Sequence, residues 1–220
     1  MINNDTFRRI GTNHQLTSST FNLLLGATLL WGFALNWWMV ASIPAEIVKA
    51  INPIVFIIGY IVTAFTGCWL MFASNKPALS FLGYNLIVVP IGLVLVMALP
   101  GFAHEHIVAA VRTTVMLTVA MMVLGTIFPQ FFKRIEAALF WALLISIVVE
   151  LVQMLIFKVK LGVMDWIVAA IFCGYIGVDW GRANSIERTV DNAIDSAGAL
   201  YLDIINLFIR VLQIISRAKG

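Results

Sequence analysis

Two aspartates lie where water should be scarce. Asp203 sits inside the apolar stretch Ala199-Leu200-Tyr201-Leu202-Asp203-Ile204-Ile205-Asn206-Leu207-Phe208, and Asp179 closes the apolar segment before it. An ionisable group at membrane depth costs at least ~2.5–3.5 kcal/mol on insertion scales, so an unpartnered one is rarely accidental. Two carboxyl groups in contact cannot both ionise cheaply, and such a pair titrates as a unit. Proton sensing is the chemistry this suggests. Carboxylate oxygens also suit a hard cation such as calcium, although two carboxylates supply only part of its shell.

That argument needs a bilayer, and composition supplies one. Hydrophobic residues make up 61% of the 220 and charged ones 11%, against about 45–50% and 25% in soluble domains. Cys68 and Cys173 sit within apolar runs, so neither a disulfide framework nor a zinc site is indicated. The net charge of +3 comes without a Lys/Arg-rich run, which excludes nucleic acid as a partner. The first apolar run starts near residue 19 behind Arg8 and Arg9 and lacks a convincing cleavage site, so it reads as a retained helix. No nucleotide-binding glycine pattern, GxSxG, HExxH or nucleophile–base constellation is present, so an enzyme is not expected and no cofactor is implied. His104-Glu105-His106 falls in a short loop, where two histidines are ordinarily solvated.

A span needs roughly 20 mostly apolar residues to cross ~30 Å of hydrocarbon. Seven segments qualify, about 19–42, 52–74, 79–99, 107–128, 136–157, 163–181 and 196–216. Asn75-Lys76-Pro77, Pro100-Gly101, Pro129, and Lys158 with Lys160 mark breaks between them. Pro90 with Gly92 is placed to bend the third span. The expected organisation is a polar tail over 1–18, one seven-helix membrane domain over 19–216 and a short tail over 217–220. The longest loop, 182–195, carries Arg182, Glu187, Arg188, Asp191 and Asp195, so a wet surface is expected there, with 186–195 as a solvated lead into the last helix. Arg8 and Arg9 against Lys49 favour a cytoplasmic N-terminus.

The charges inside the spans sort by depth. Asp179 is near the 182–195 end of the sixth span, and Asp203 is seven residues into the seventh, or roughly 10 Å at helical rise. Antiparallel helices joined by that loop bring the two to similar depth, while their rotation stays open. Asp203, Asn206, Arg210 and Gln213 form one stripe on the seventh helix, and a polar stripe faces protein or water rather than lipid. Arg182, three residues after Asp179, either pairs with it locally or snorkels to the headgroups; in the second case the acids must share protons or a cation. Nearer the opposite surface, Arg112 and Glu150 stand at comparable depths on adjacent helices, so an ion pair is expected, with Asp165 and Arg210 close by. Such a cluster is either a packing device or the lining of a pathway.

At these residues a family comes into view. Asp195-Ser196-Ala197-Gly198-Ala199-Leu200-Tyr201-Leu202-Asp203-Ile204-Ile205-Asn206-Leu207-Phe208 resembles the last-helix signature of the Bax inhibitor (transmembrane Bax inhibitor motif) family. Gly174-Tyr175-Ile176-Gly177-Val178-Asp179 is similar to the end of that family's sixth helix, and Gly125-Thr126-Ile127-Phe128-Pro129 with Lys133-Arg134 sits compatibly. The resemblance implies an all-α integral membrane protein, a seven-transmembrane-helix bundle around a central C-terminal helix. It maps the family's paired aspartates onto Asp179 and Asp203 and implies a pH-sensitive calcium leak. Family members can carry a basic residue in the second helix, whereas residues 52–74 here hold no charge, and Glu150 is not a family expectation.

The leading expectation is therefore a passive cation leak, for calcium as the transported ion, with Asp179 and Asp203 as gate, pH sensor and transient metal ligands. Asn206, Arg210 and Arg182 support them, and Arg112, Glu150 and Asp165 form a second cluster. The alternative is a non-conducting membrane regulator that binds another membrane protein, a quality-control protease or a cell-death regulator. Short termini suit a multi-pass protein of a bacterial inner membrane. Carboxyl oxygens far apart, with either group turned to the acyl tails or neutralised by an arginine, would undo the leading reading.

Overall fold

The computed structural model describes residues 15–158 and 161–219, the last without its side chain. Most of the 1–18 tail, with Arg8 and Arg9, and Lys160 thus lie outside the described residues. Eight α-helices follow one another: α1 Ser18–Ser42, α2 Ala45–Lys49, α3 Pro53–Ala73, α4 Pro77–Ala98, α5 His104–Ile127, α6 Pro129–Val152, α7 Gly162–Ala183 and α8 Val190–Lys219. There is no strand among the described residues. All but α2 are long and apolar enough to cross a membrane.

Local chemistry sets the helix starts. Thr17 Oγ1 accepts from the Thr20 N–H at 3.2 Å to open α1, and Asn52 Oδ1 accepts from the Ile54 N–H at 2.9 Å to open α3. Pro53, Pro77 and Pro129 occupy first turns, where a missing N–H leaves no bond unmade. Pro129 is therefore the start of a helix as well as the end of a gap, and α6 begins there rather than at 136. α8 likewise begins at Val190 rather than 196 and runs through Arg217 to Lys219. Pro90 is buried within α4, which continues from Pro77 to Ala98.

The chain groups into two compact units. One comprises the chain up to Gly101 together with Ser185–Tyr201, so it holds α1 to α4 and the first part of α8. There α4 packs on α1 and α3, and Met39, Val48 and Val96 form an apolar cluster. Tyr84 donates its O–H to the Thr28 carbonyl at 2.9 Å and meets the Tyr201 ring edge-on at 5.6 Å. α3 and α4 approach backbone to backbone at Gly67 and Gly83, where a Cβ on either would stand 2.6 Å from the other's carbonyl oxygen. Small residues at such contacts are how helices associate where lipid removes the hydrophobic drive.

The other unit comprises Phe102–Asn184 with the chain from Leu202 onward, so it holds α5, α6, α7 and the remainder of α8. α7 packs on both α5 and α6. A Cβ on Gly125 would stand 2.6 Å from the Gly177 carbonyl oxygen, and one on Gly177 would stand 2.2 Å from the Phe132 ring. Trp180 donates its indole N–H to Thr126 Oγ1 at 2.8 Å in the same contact. From α8 this unit buries Ile205, Leu207, Phe208, Val211 and Leu212.

The Gly177 contact generates a prediction. Gly177→Val should lower stability by about 1–3 kcal/mol, the usual cost of overpacking. Phe132→Ala, which removes the obstructing ring, should recover part of that loss when the two are combined. Thermal unfolding of the purified single and double variants checks both; strictly additive losses would mean Phe132 is not the obstruction.

Candidate functional site

Asp179 stands one turn before the end of α7, and Asp203 stands two residues beyond the α8 segment assigned to the first unit. Both belong to the second unit, and their carboxyl groups stand within electrostatic reach of each other. The two lie at similar depth, and rotation turns them toward one another. Asp203 is 6% exposed and its Oδ2 is buried without a hydrogen-bond partner among the described residues. Two carboxyl groups this close in apolar surroundings cannot both ionise cheaply, so the form favoured is the one with a single negative charge.

That charge has a counter-ion. Arg182 donates from Nη1 to Asp179 Oδ1 at 2.8 Å, taking the local option its position offered. Its Nη2 donates to Glu136 Oε1 on α6, so one guanidinium is divided between two acids. Tyr175, one turn before Asp179, is within electrostatic reach of Asp179, Asp203, Glu136 and Arg182. Glu136 was missed because the fifth span was expected to begin at that residue. Recognising Pro129 as a first-turn proline puts Glu136 two turns inside a helix, level with the end of its antiparallel neighbour.

The other expected residues divide. Asn206 is half-buried and donates to the Leu202 carbonyl of its own helix at 2.7 Å, so it follows the stripe without touching the pair. Arg210 belongs to the second cluster. The expected Arg112–Glu150 ion pair is absent: Arg112 is exposed on α5 with no ion pair among the described residues, and Glu150 is held by Arg210. Depth put both residues at one level, but rotation turns Arg112 outward. Asp165 is fully buried and bonded to Arg210 and to Arg217, a residue the sequence consigned to the C-terminal tail. The wet surface expected for 182–195 holds for exposed Arg188 and fails for Asp191. Asp191 is 5% exposed and accepts from Ser80 Oγ at 2.7 Å, because α8 has already begun. His104-Glu105-His106 opens α5 rather than lying in a loop.

As a resident metal site the pair is poor. No group of three or more His, Cys, Asp or Glu side chains suited to a metal occurs among the described residues. Arg182 also occupies an Asp179 oxygen that a cation would need. A cation could use that oxygen only after Arg182 had moved.

These features define an all-helical, multi-pass integral membrane protein with paired acids buried between its last two long helices. The chain matches the family described as "Inhibitor of apoptosis-promoting Bax1" over residues 13–220, and it belongs to the Bax inhibitor family. Three relatives from Arabidopsis thaliana are similar to it in part. Protein LIFEGUARD 4 is 40% identical over 91 residues, covering 40% of this chain and 36% of the relative. Protein LIFEGUARD 3 is 41% identical over 87 residues, covering 38% and 34%. A BI1-like protein is 38% identical over 92 residues, covering 40% and 35%. The matched segment thus spans about a third of the length of these curated relatives.

A shared proton has a spectroscopic consequence. Infrared spectra of the purified protein at mildly acidic pH should show the carbonyl band of a protonated carboxylic acid, and the band should vanish in Asp203→Asn. Because asparagine can still donate to Asp179, that variant should stay within about 1 kcal/mol of the parent, the net worth of one such bond. A parent spectrum lacking the band would show that the two groups share no proton.

Proposed function

We propose that the protein is a passive, pH-sensitive cation leak, for calcium first, gated by the Asp179–Asp203 pair. The observation that carries this reading is two carboxyl groups brought within electrostatic reach of each other inside membrane-spanning helices, with Asp203 buried. While a proton is shared, the pair ties α8 to α7. When it leaves, two carboxylates face each other in apolar surroundings with one guanidinium between them, and Glu136 competes for that guanidinium. Repulsion then parts the helices, and the freed oxygens can attract a hard cation in passage. Family membership supports the reading, as does the buried, unpartnered Oδ2 of Asp203.

The sign follows from proton counting. The closed arrangement binds one proton more than the open one, so acid favours closure and rising pH favours leak. On the same reading the N-terminus is cytoplasmic, for which Arg8 and Arg9 against Lys49 speak.

The second reading, a non-conducting regulator of another membrane protein, draws on α6. Only 6% of its most apolar window is buried, and Phe140, Trp141, Ile145 and Val148 are exposed along it. Such a face can meet lipid or a partner helix.

Calcium flux in liposomes containing only this protein separates the two. Flux should rise between acidic and neutral pH by up to about tenfold per pH unit, the limit for one linked proton. Asp203→Asn, in which the amide can donate to the Asp179 carboxylate at any pH, should be low throughout. If Asp203→Asn matches the parent in both flux and pH response, the gate is elsewhere. A parent without flux that captures a membrane protein from native membranes would favour the second reading.

A further inference from the structure

Two turns beyond Asp203 on α8, a second set of charges is assembled that the proposed gate does not use. Arg210 donates from Nη2 to Glu150 Oε2 at 2.8 Å and from Nη1 to Glu150 Oε1, a two-pronged bond to α6. The same Nη1 donates to Asp165 Oδ1 on α7 at 2.9 Å. Arg217, two turns further along α8, donates to Asp165 Oδ2. Two acids and two arginines thus connect α6, α7 and α8 with no net charge. The other packed helix, α5, offers Arg112, which is exposed and outside the network.

Apolar side chains of the same volume would hold three helices at least as well. A buried ion network is weak evidence for stability, and its best-attested uses are to fix register or to act as a switch. Two further observations favour the switch. The network is graded in exposure: the Asp165 side chain is 0% exposed, that of Glu150 25% and that of Arg217 40%, so its outer members can be reached. Regular winding of α6 also ends just after Glu150. Gln153–Phe157 forms a π-helical turn closed by Lys158 at φ 51°, the one non-glycine residue with positive φ among the described residues. Turns of that kind collect at functional sites.

We propose that Glu150, Arg210, Asp165 and Arg217 form an ion-pair lock that restrains the leak. With Arg210 seated between Glu150 and Asp165, the C-terminal half of α8 is pinned to α6 and α7, and releasing the guanidinium from Glu150 frees it from α6. The proposal rests on the leak reading for what is restrained and adds a second restraint in series with the aspartate pair. Glu150 is the release point, because Asp165 keeps Arg217 and continues to hold Arg210 when Glu150 lets go.

The test uses the full chain in lipid, comparing the parent with Glu150→Gln and Arg210→Lys. Amide hydrogen exchange is read over 203–217, and calcium flux is read at neutral and acidic pH. Glu150→Gln should raise exchange in that segment by about tenfold, as expected when a buried pair is broken, with α1 to α4 unchanged. It should raise neutral-pH flux severalfold and leave closure by acid intact. Arg210→Lys keeps the charge but loses the two-pronged bond, so it should fall between the two; it carries the comparison if Glu150→Gln fails to fold. Unchanged exchange in 203–217 overturns the lock. So does raised exchange with unchanged flux from a conducting parent, which would make the network a structural tie only. A parent with no flux sinks the leak reading itself, whatever the exchange shows.

Discussion

Charge inside hydrocarbon must be answered by another group, and that requirement fixes how α8 is turned within the second unit. Asp203 and Arg210 are seven residues apart, close to two helical turns, so they share one face of α8. Asp203 finds Asp179 on α7, and Arg210 finds Glu150 on α6 and Asp165 on α7. A rotation that lost one set would lose the other. The apolar residues buried from the same half-helix, Leu207, Phe208, Val211 and Leu212, fill space without choosing a rotation so strictly.

This explains what the sequence could and could not show. Helical rise is nearly constant, so depth reads directly from residue number; it placed Asp179 level with Asp203, and Glu150, Asp165 and Arg210 near one surface. Rotation about each helix axis depends on packing between segments distant in sequence. Arg112 matched Glu150 in depth and points elsewhere, whereas Arg210 was one residue of a stripe already expected to face inward. Segment ends failed for a different reason. A hydropathy window drops polar first turns, so α6 lost Pro129 to Ile135 and α8 lost Val190 to Asp195. Glu136 and Asp191 were obscured by those two truncations.

Arg182 changes the chemistry the sequence suggested. Left to themselves, two buried carboxylates would invite a cation, and calcium was the natural candidate. On the proposed reading the pair holds one proton, and Arg182 has one charge to divide between Asp179 and Glu136. A resident cation would meet a guanidinium already in place. A proton avoids that conflict, because it lies between the carboxyl groups while Arg182 approaches Asp179 from its own helix. On the proposed reading, calcium is cargo that meets these oxygens only after the closed arrangement has been lost.

Two kinds of contact therefore coexist in the second unit, and they differ in what can undo them. α5 and α7 meet through Gly125 and Gly177, with Phe132 and the Trp180–Thr126 bond beside them, and no change of pH or ion content removes a glycine's missing side chain. α8 meets α7 through the facing carboxyl groups at one level, and α6 and α7 through a divided guanidinium at another. Both are exchangeable at modest free-energy cost, since each broken bond can be replaced by water or by a neighbouring acid. If selection had favoured only a stable bundle, apolar residues at 150, 165, 203 and 210 would have served as well. Placing Asp203 and Arg210 together on the last helix makes α8 an element able to move while α5 and α7 stay joined.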